Sequence, residues 1–148
     1  MSSYLGVDPA PGEEIMRLST DNPQAFVVEG VVEDVYLPRG VFDWALVMRS
    51  HNHLSDLWEA YYRIVRSLKP GGMLLVVDNT PFALLKTSRQ MEEVRAVTGV
   101  EPEHLRNHDG SEARNFLARF PLELVEADDV EPGKANQWYC LFRYHGWR

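Results

Sequence analysis

Cysteine is almost missing from this 148-residue chain. Cys140 is the single one, which excludes an intramolecular disulfide framework and fits a reducing compartment. Long apolar runs are missing too. No stretch reaches the roughly 20 residues that cross a bilayer. The N-terminus lacks the charged-then-apolar pattern of a secretory signal. A cytoplasmic protein with no membrane partner is therefore expected. Basic residues are the minority, 15 Lys and Arg against 22 Asp and Glu, for a formal net charge of −7. That balance argues against nucleic acid as a partner. Lys86, Arg89 and Arg95 are interleaved with Glu92 and Glu93 and read as a mixed, solvated helix face. Repeats and low-complexity segments are absent. What is present is an ordinary globular composition, 45% hydrophobic and 25% charged, in a length that fits one domain over residues 1–148.

The run Leu68-Lys69-Pro70-Gly71-Gly72-Met73-Leu74-Leu75-Val76-Val77-Asp78-Asn79 carries the clearest structural signal. Lys69 suits a helix C-terminus, Pro70 stops the helix, and Gly71-Gly72 permit a sharp turn. Met73 to Val77 is continuously apolar, as in a strand covered on both faces. Upstream, Leu57, Tyr61, Ile64, Val65 and Leu68 form a helical stripe, with Ser55 and Asp56 as cap candidates. Tyr4–Asp8, Ala25–Val28 and Val41–Met48 read as strands. A helix opens at Glu13-Glu14, with Ile15, Leu18 and Met16 as its buried face. Further helices are expected over Arg89 to Val97 and from Gly110 to about Phe120. Leu122–Val125 and Gln137–Phe142 read as a closing antiparallel pair. Trp44 and Trp58 are expected in the core, and the aromatics Trp138 and Tyr139 at an edge or in the core. The fold class is α/β, a Rossmann-like doubly wound, mostly parallel sheet with a C-terminal antiparallel hairpin in three α/β/α layers. Ligands in such sheets bind beyond the carboxyl ends of the strands. Asp8, the loop Arg49 to His53, and Asp78-Asn79 are therefore the first places to look.

Four landmarks stand in order along the chain: Gly6-Val7-Asp8 before Pro9; Glu29-Gly30 through Glu33-Asp34 with Leu37-Pro38; Phe42-Asp43 with the strand behind it; and Leu68-Lys69-Pro70-Gly71-Gly72. Together they resemble the class I S-adenosylmethionine-dependent methyltransferases. They are similar to that family's second strand, the loop after its third strand, its fourth strand and the turn before its fifth. The last two strands fit its terminal hairpin. The resemblance implies S-adenosylmethionine as cofactor, with Asp8 on the ribose hydroxyls, and Glu33 or Asp34 on the adenine because Val31 stands where many members carry an acid. Arg49 and Ser50 would border the cofactor. His51 and His53 would lie near the methyl group, either one able to take a proton from the acceptor. Asn79, His104, Arg106 and Asn107 would face a small or medium-sized metabolite. Because the likeness opens at the family's second strand, the chain is expected to be truncated, without the first strand and its glycine-rich loop. The unpaired sheet edges would then be covered by a second copy or a partner chain.

The residues also allow plainer readings. Asp8 suits a turn before Pro9. His51 suits a turn cap, and His53 suits packing beneath a helix. His104 and His108 sit four apart and, with His51 and His53, give the pattern of a metal-dependent hydrolase, although no cysteine supports a metal site. Three functions follow: a methyltransferase, an inactive methyltransferase-like module that pairs with itself or a partner chain, and the hydrolase.

Overall fold

The computed structural model describes residues 3–80, 89, 92, 93, 96, 106–132 and 136–147. The chain divides into two compact units, Met1–Pro38 and Arg39–Arg148.

In the first unit, β1 (Tyr4–Asp8) and β2 (Ala25–Glu29) pair in parallel, from Tyr4 opposite Ala25 to Asp8 opposite Glu29, with α1 (Glu13–Asp21) between them in sequence. Glu13 and Glu14 occupy the first turn of α1, where acids suit the helix dipole. The expected buried face of α1 is not buried: Ile15, Met16 and Leu18 are all exposed. One helix beside two strands of five residues has little apolar surface within its own unit to cover that stripe.

The second unit holds β3 (Phe42–Met48), α2 (Leu57–Ser67), β4 (Leu68–Asn79), α3 (Gly110–Leu117), β5 (Leu122–Asp129) and β6 (Gln137–Tyr144). Its sheet has the order β3-β4-β6-β5. β3 and β4 are parallel, whereas β6 runs antiparallel to both β4 and β5. Leu74, Val76 and Asp78 lie opposite Phe142, Cys140 and Trp138, and all six are buried. They form one face of the sheet, packed by α2 over β3 and β4 and by α3 over β5 and β6. Asp56 caps α2 by accepting from the Glu59 N–H at 3.0 Å. The stripe Leu57, Tyr61, Ile64, Val65 and Leu68 is buried as its spacing requires. Each such side chain stabilises by about 1.5–3 kcal/mol.

The glycine run is a bulge inside β4 rather than a turn before it. Leu68 already pairs with Phe42, and the next ladder pair is Trp44 with Met73, so Lys69 to Gly72 loop out opposite Asp43. Gly71 has a φ of 86°. At Gly72 a Cβ would sit 2.8 Å from the Lys69 carbonyl oxygen and 3.2 Å from that of Asp43, so no other residue fits. Lys69 Nζ reaches Asp43 Oδ1 at 2.8 Å across the bulge.

Two expected core residues are corrected. Trp44 shares the strand face of Leu46 and Met48, opposite buried Val47, and is 55% exposed. Trp58 stacks its ring on Phe120 at 4.7 Å, yet remains half exposed at the start of α2. Arg89, Glu92, Glu93 and Ala96 are helical, with an exposed Arg89–Glu93 pair at 3.0 Å. Lys86, Arg95 and the rest of that expected helix lie outside the described residues. Among the described residues no helix is long and apolar enough to cross a membrane.

Candidate functional site at the carboxyl ends of the strands

β3 and β4 end side by side, and the loop after β3 turns sharply there. Arg49 has a φ of 54°, a left-handed conformation uncommon outside glycine. It is held by its N–H donating to the Val77 carbonyl at 2.7 Å. Ser50 Oγ donates back to the Met48 carbonyl at 2.9 Å, and the Ser50 carbonyl accepts from the His53 and Leu54 N–H groups. This tight coil drives His51 and Asn52 inward, where both are fully buried, and leaves His53 exposed.

Asn52 and Asp78 form a clasp. The buried Asp78 carboxylate accepts the Asn52 N–H at 3.0 Å and the Asn79 N–H at 2.7 Å. The Asn52 side chain donates to the carbonyls of Asn79 (3.0 Å) and His108 (3.2 Å), and its Oδ1 accepts the His108 N–H at 2.9 Å. One amide thus joins three segments that are distant in sequence. Arg106 closes the same coil from outside, donating to the backbone carbonyls of His51, Leu54 and Ser55. Its guanidinium is committed to backbone acceptors. Asn107 is buried and bonded beside it. Asp109 then caps α3 with a reciprocal capping box to Glu112.

Through this clasp runs a chain of hydrogen bonds. Tyr61 Oη lies 2.9 Å from His51 Nδ1, and His51 Nε2 lies 3.0 Å from His108 Nδ1. Burial, with the nearby Asp78 carboxylate second, pushes the Tyr61 hydroxyl well above its ordinary range, so it keeps its proton. That proton has one acceptor among the described residues, His51 Nδ1. Leaving it unpaired would cost about 1–3 kcal/mol. Tyr61 therefore donates to His51, and the His51 proton resides on Nε2 and is donated to His108 Nδ1. Neutral His108 then carries its own proton on Nε2, which has no partner among the described residues. Burial, then the proximity of His108 and Arg106, lowers His51 to about 3. His108 is also lowered, mainly by burial, with Arg106 assisting and Glu112 and Asp109 opposing. The pair is neutral near pH 7 and leaves the His108 Nε2–H without a partner among the described residues.

His51 thus has no free ring nitrogen with which to take a proton, whereas His53 sits at the surface. His104 lies outside the described residues. Among those residues no three His, Cys, Asp or Glu side chains converge to hold a metal. The sequence gives His108 weight only as a companion of His104. The capping box beginning at Asp109 is the signal that could have fixed its position.

In the first unit, Asp8 ends β1. Its Oδ1 accepts the Ala10 N–H at 2.8 Å, the turn geometry expected before Pro9. The second carboxyl oxygen has no partner among the described residues. Glu33 is buried and Asp34 exposed in the turn after β2, where the Val31 carbonyl accepts from Asp34 and Val35.

The methyltransferase-domain family model matches residues 1–76. No curated protein matches the chain. Among solved structures, it is similar to an S-adenosylmethionine-dependent methyltransferase from Mesorhizobium loti, with 14% identity, a TM-score of 0.72, and coverage of 96% of this chain and 80% of that one. A candidate sarcosine dimethylglycine methyltransferase from Galdieria sulphuraria gives 13%, 0.70, 95% and 69%. The Haloferax volcanii complex between the Trm112 methyltransferase activator and a candidate methyltransferase gives 15%, 0.72, 100% and 74%. At these identities the likeness is one of fold: Rossmann-like α/β, with a mostly parallel sheet closed by antiparallel strands.

Proposed function

Since the chain belongs to the class I S-adenosylmethionine-dependent methyltransferase family, we propose that it transfers a methyl group to a small or medium-sized metabolite. The observation that carries this reading is the family match over residues 1–76, which takes in Asp8 at the carboxyl end of β1. S-adenosylmethionine supplies an electrophilic methyl group when bound. Asp8 would accept from its ribose hydroxyls, Glu33 or Asp34 would take the adenine, and Arg49 and Ser50 would border the cofactor. The chain's other task is alignment of the acceptor. His53 would take a proton from an acceptor that must lose one. His51 instead holds His108, whose Nε2–H would donate to an acceptor oxygen, with Asn79 and Asn107 as neighbouring polar groups and His104 as a further candidate.

Calorimetric titration of the purified chain with S-adenosylhomocysteine tests the cofactor half. Micromolar binding is expected, and Asp8→Ala should weaken it at least about tenfold, the loss of roughly 1.4 kcal/mol. Equal binding by the variant would remove Asp8 from the site.

A second reading is favoured by the open edge of β3. Among the described residues that strand is paired on one side alone, and its Trp44, Leu46 and Met48 are 55%, 56% and 53% exposed. The chain would then be an inactive module that pairs with a copy of itself or with a partner chain, as the Haloferax neighbour sits in a complex with an activator. Light scattering separates the readings: a stable oligomer that binds no cofactor supports the module, and a cofactor-binding monomer rejects it.

A further inference from the structure

At the opposite end of the second unit's sheet, β3 begins, α2 finishes and β6 ends together. Arg39 precedes β3, Tyr62 and Arg66 lie in the later turns of α2, Tyr144 ends β6, and Trp147 follows it. These side chains line a cavity of about 560 Å³, within the range that holds small ligands.

Three observations give the cavity a chemistry. First, Arg66 Nε is buried and has no hydrogen-bond partner among the described residues. A donor left so costs about 1–3 kcal/mol, and such groups in folded proteins ordinarily meet a water or an ion. Second, the Arg66 guanidinium lies over the Tyr62 ring, 5.5 Å from its centroid, and the Tyr62 and Trp147 rings are 5.7 Å apart. A guanidinium over an aromatic ring is held there by cation–π attraction, which keeps the charge of Arg66 at the aromatic wall of the cavity. Third, no acidic residue is among those described as lining the cavity, although the chain carries a net charge of −7. Exposed Arg39 adds a second cation at the rim.

We propose that this cavity binds a small aromatic anion. Its carboxylate would meet the Arg66 and Arg39 guanidinium groups, and its ring would lie against Trp147 and Tyr62. A guanidinium matches a carboxylate with two parallel donors, and an aromatic wall adds a preference for a flat ring over a bare ion. The site is separate from the Asp78 end of β4, so it stands or falls independently of methyl transfer.

The test is a titration of the full chain, labelled with ¹⁵N, with benzoate, inorganic phosphate and benzyl alcohol in turn. Benzoate should shift the Arg66 Nε–H and Trp147 indole N–H signals saturably, about tenfold tighter than either the ringless anion or the neutral ring. Arg66→Gln should weaken benzoate by about tenfold. Arg39→Gln, at an exposed position that leaves the fold untouched, should weaken it measurably as well. The proposal is overturned by the absence of a saturable shift at these two N–H groups. It is equally overturned by phosphate or benzyl alcohol binding as tightly as benzoate, or by unchanged benzoate affinity in Arg39→Gln.

Discussion

Asn52→Ala should destabilise the second unit by about 3 kcal/mol, and Asn52→Asp by more, despite its near-identical shape. The Asn52 amide makes three hydrogen bonds in a fully buried setting, two as donor and one as acceptor. Alanine removes all three and strands the His108 N–H and the carbonyls of Asn79 and His108. Each buried group left unpaired costs about 1–3 kcal/mol, partly recovered where water enters. Aspartate is worse for a different reason. It replaces an amide that donates to two carbonyls with an oxygen that can only accept when ionised. It also places a second negative charge beside Asp78, whose carboxylate already accepts the Asn52 N–H at 3.0 Å. Urea unfolding at neutral pH measures both variants. Equal stability for wild type and Asn52→Asp would show that the clasp does not hold the site together. Partial recovery of the aspartate variant on mild acidification would identify the added charge as the larger part of its cost.

The clasp also shows where sequence reasoning succeeds and where it stops. Periodicity placed α2 because a helix with one apolar stripe has only one way to bury Leu57, Tyr61, Ile64 and Val65. The rule that ligands gather beyond strand ends points to Asp8, the Arg49–His53 loop and Asp78-Asn79, and each of these ends or follows a strand in the structure. Local signals also located the caps, with Asp56 now seen on the Glu59 N–H. What could not be read was anything decided by pairing across long stretches of chain. The contact of His51 with His108 spans 57 positions, and nothing local to either histidine announces it. The bulge at Lys69 to Gly72 reads as a turn in the sequence because both need glycine, and only the ladder of Leu68 with Phe42 tells them apart. Trp44 and the apolar side of α1 misled for a related reason. Hydrophobicity says that a side chain would gain from burial, but not whether its own unit has the surface to cover it.

Lowering the pH from about 6.5 to about 5 should cost the fold about 2 kcal/mol through His51 alone. In the unfolded chain this histidine takes up its proton near pH 6.5. In the folded chain burial, His108 and Arg106 hold it down to about 3. Between those values the unfolded state binds more protons, so stability is complete above about 6.5 and falls as the pH drops through that window. The expected slope is about 1.4 kcal/mol per pH unit, and His108, lowered in the same direction, adds to it. Carboxylates contribute a slope of their own, so the informative quantity is the difference between wild type and His51→Gln, which cannot titrate. The variant should lose about one proton's worth of slope between pH 6.5 and 5. Parallel curves for the two proteins would mean that His51 is not held neutral. Tyr61→Phe supplies the sharper control. It removes the hydroxyl proton that occupies His51 Nδ1 and leaves the ring and its packing in place. Nδ1 then loses the donor that fixes its tautomer, while burial, His108 and Arg106 still hold the His51 titration low. The orientation of His108 depends on that one donor. While Tyr61 donates, His108 must present Nε2–H; once Tyr61 is silent, its tautomer is no longer fixed from within. Long-range ¹H–¹⁵N spectra of both rings read this directly. His51 protonated on Nε2 and His108 protonated on Nε2 are expected in the wild type, with mixed tautomers in Tyr61→Phe. A wild-type His108 protonated on Nδ1 would reverse the chain and make its Nε2 a base rather than a donor.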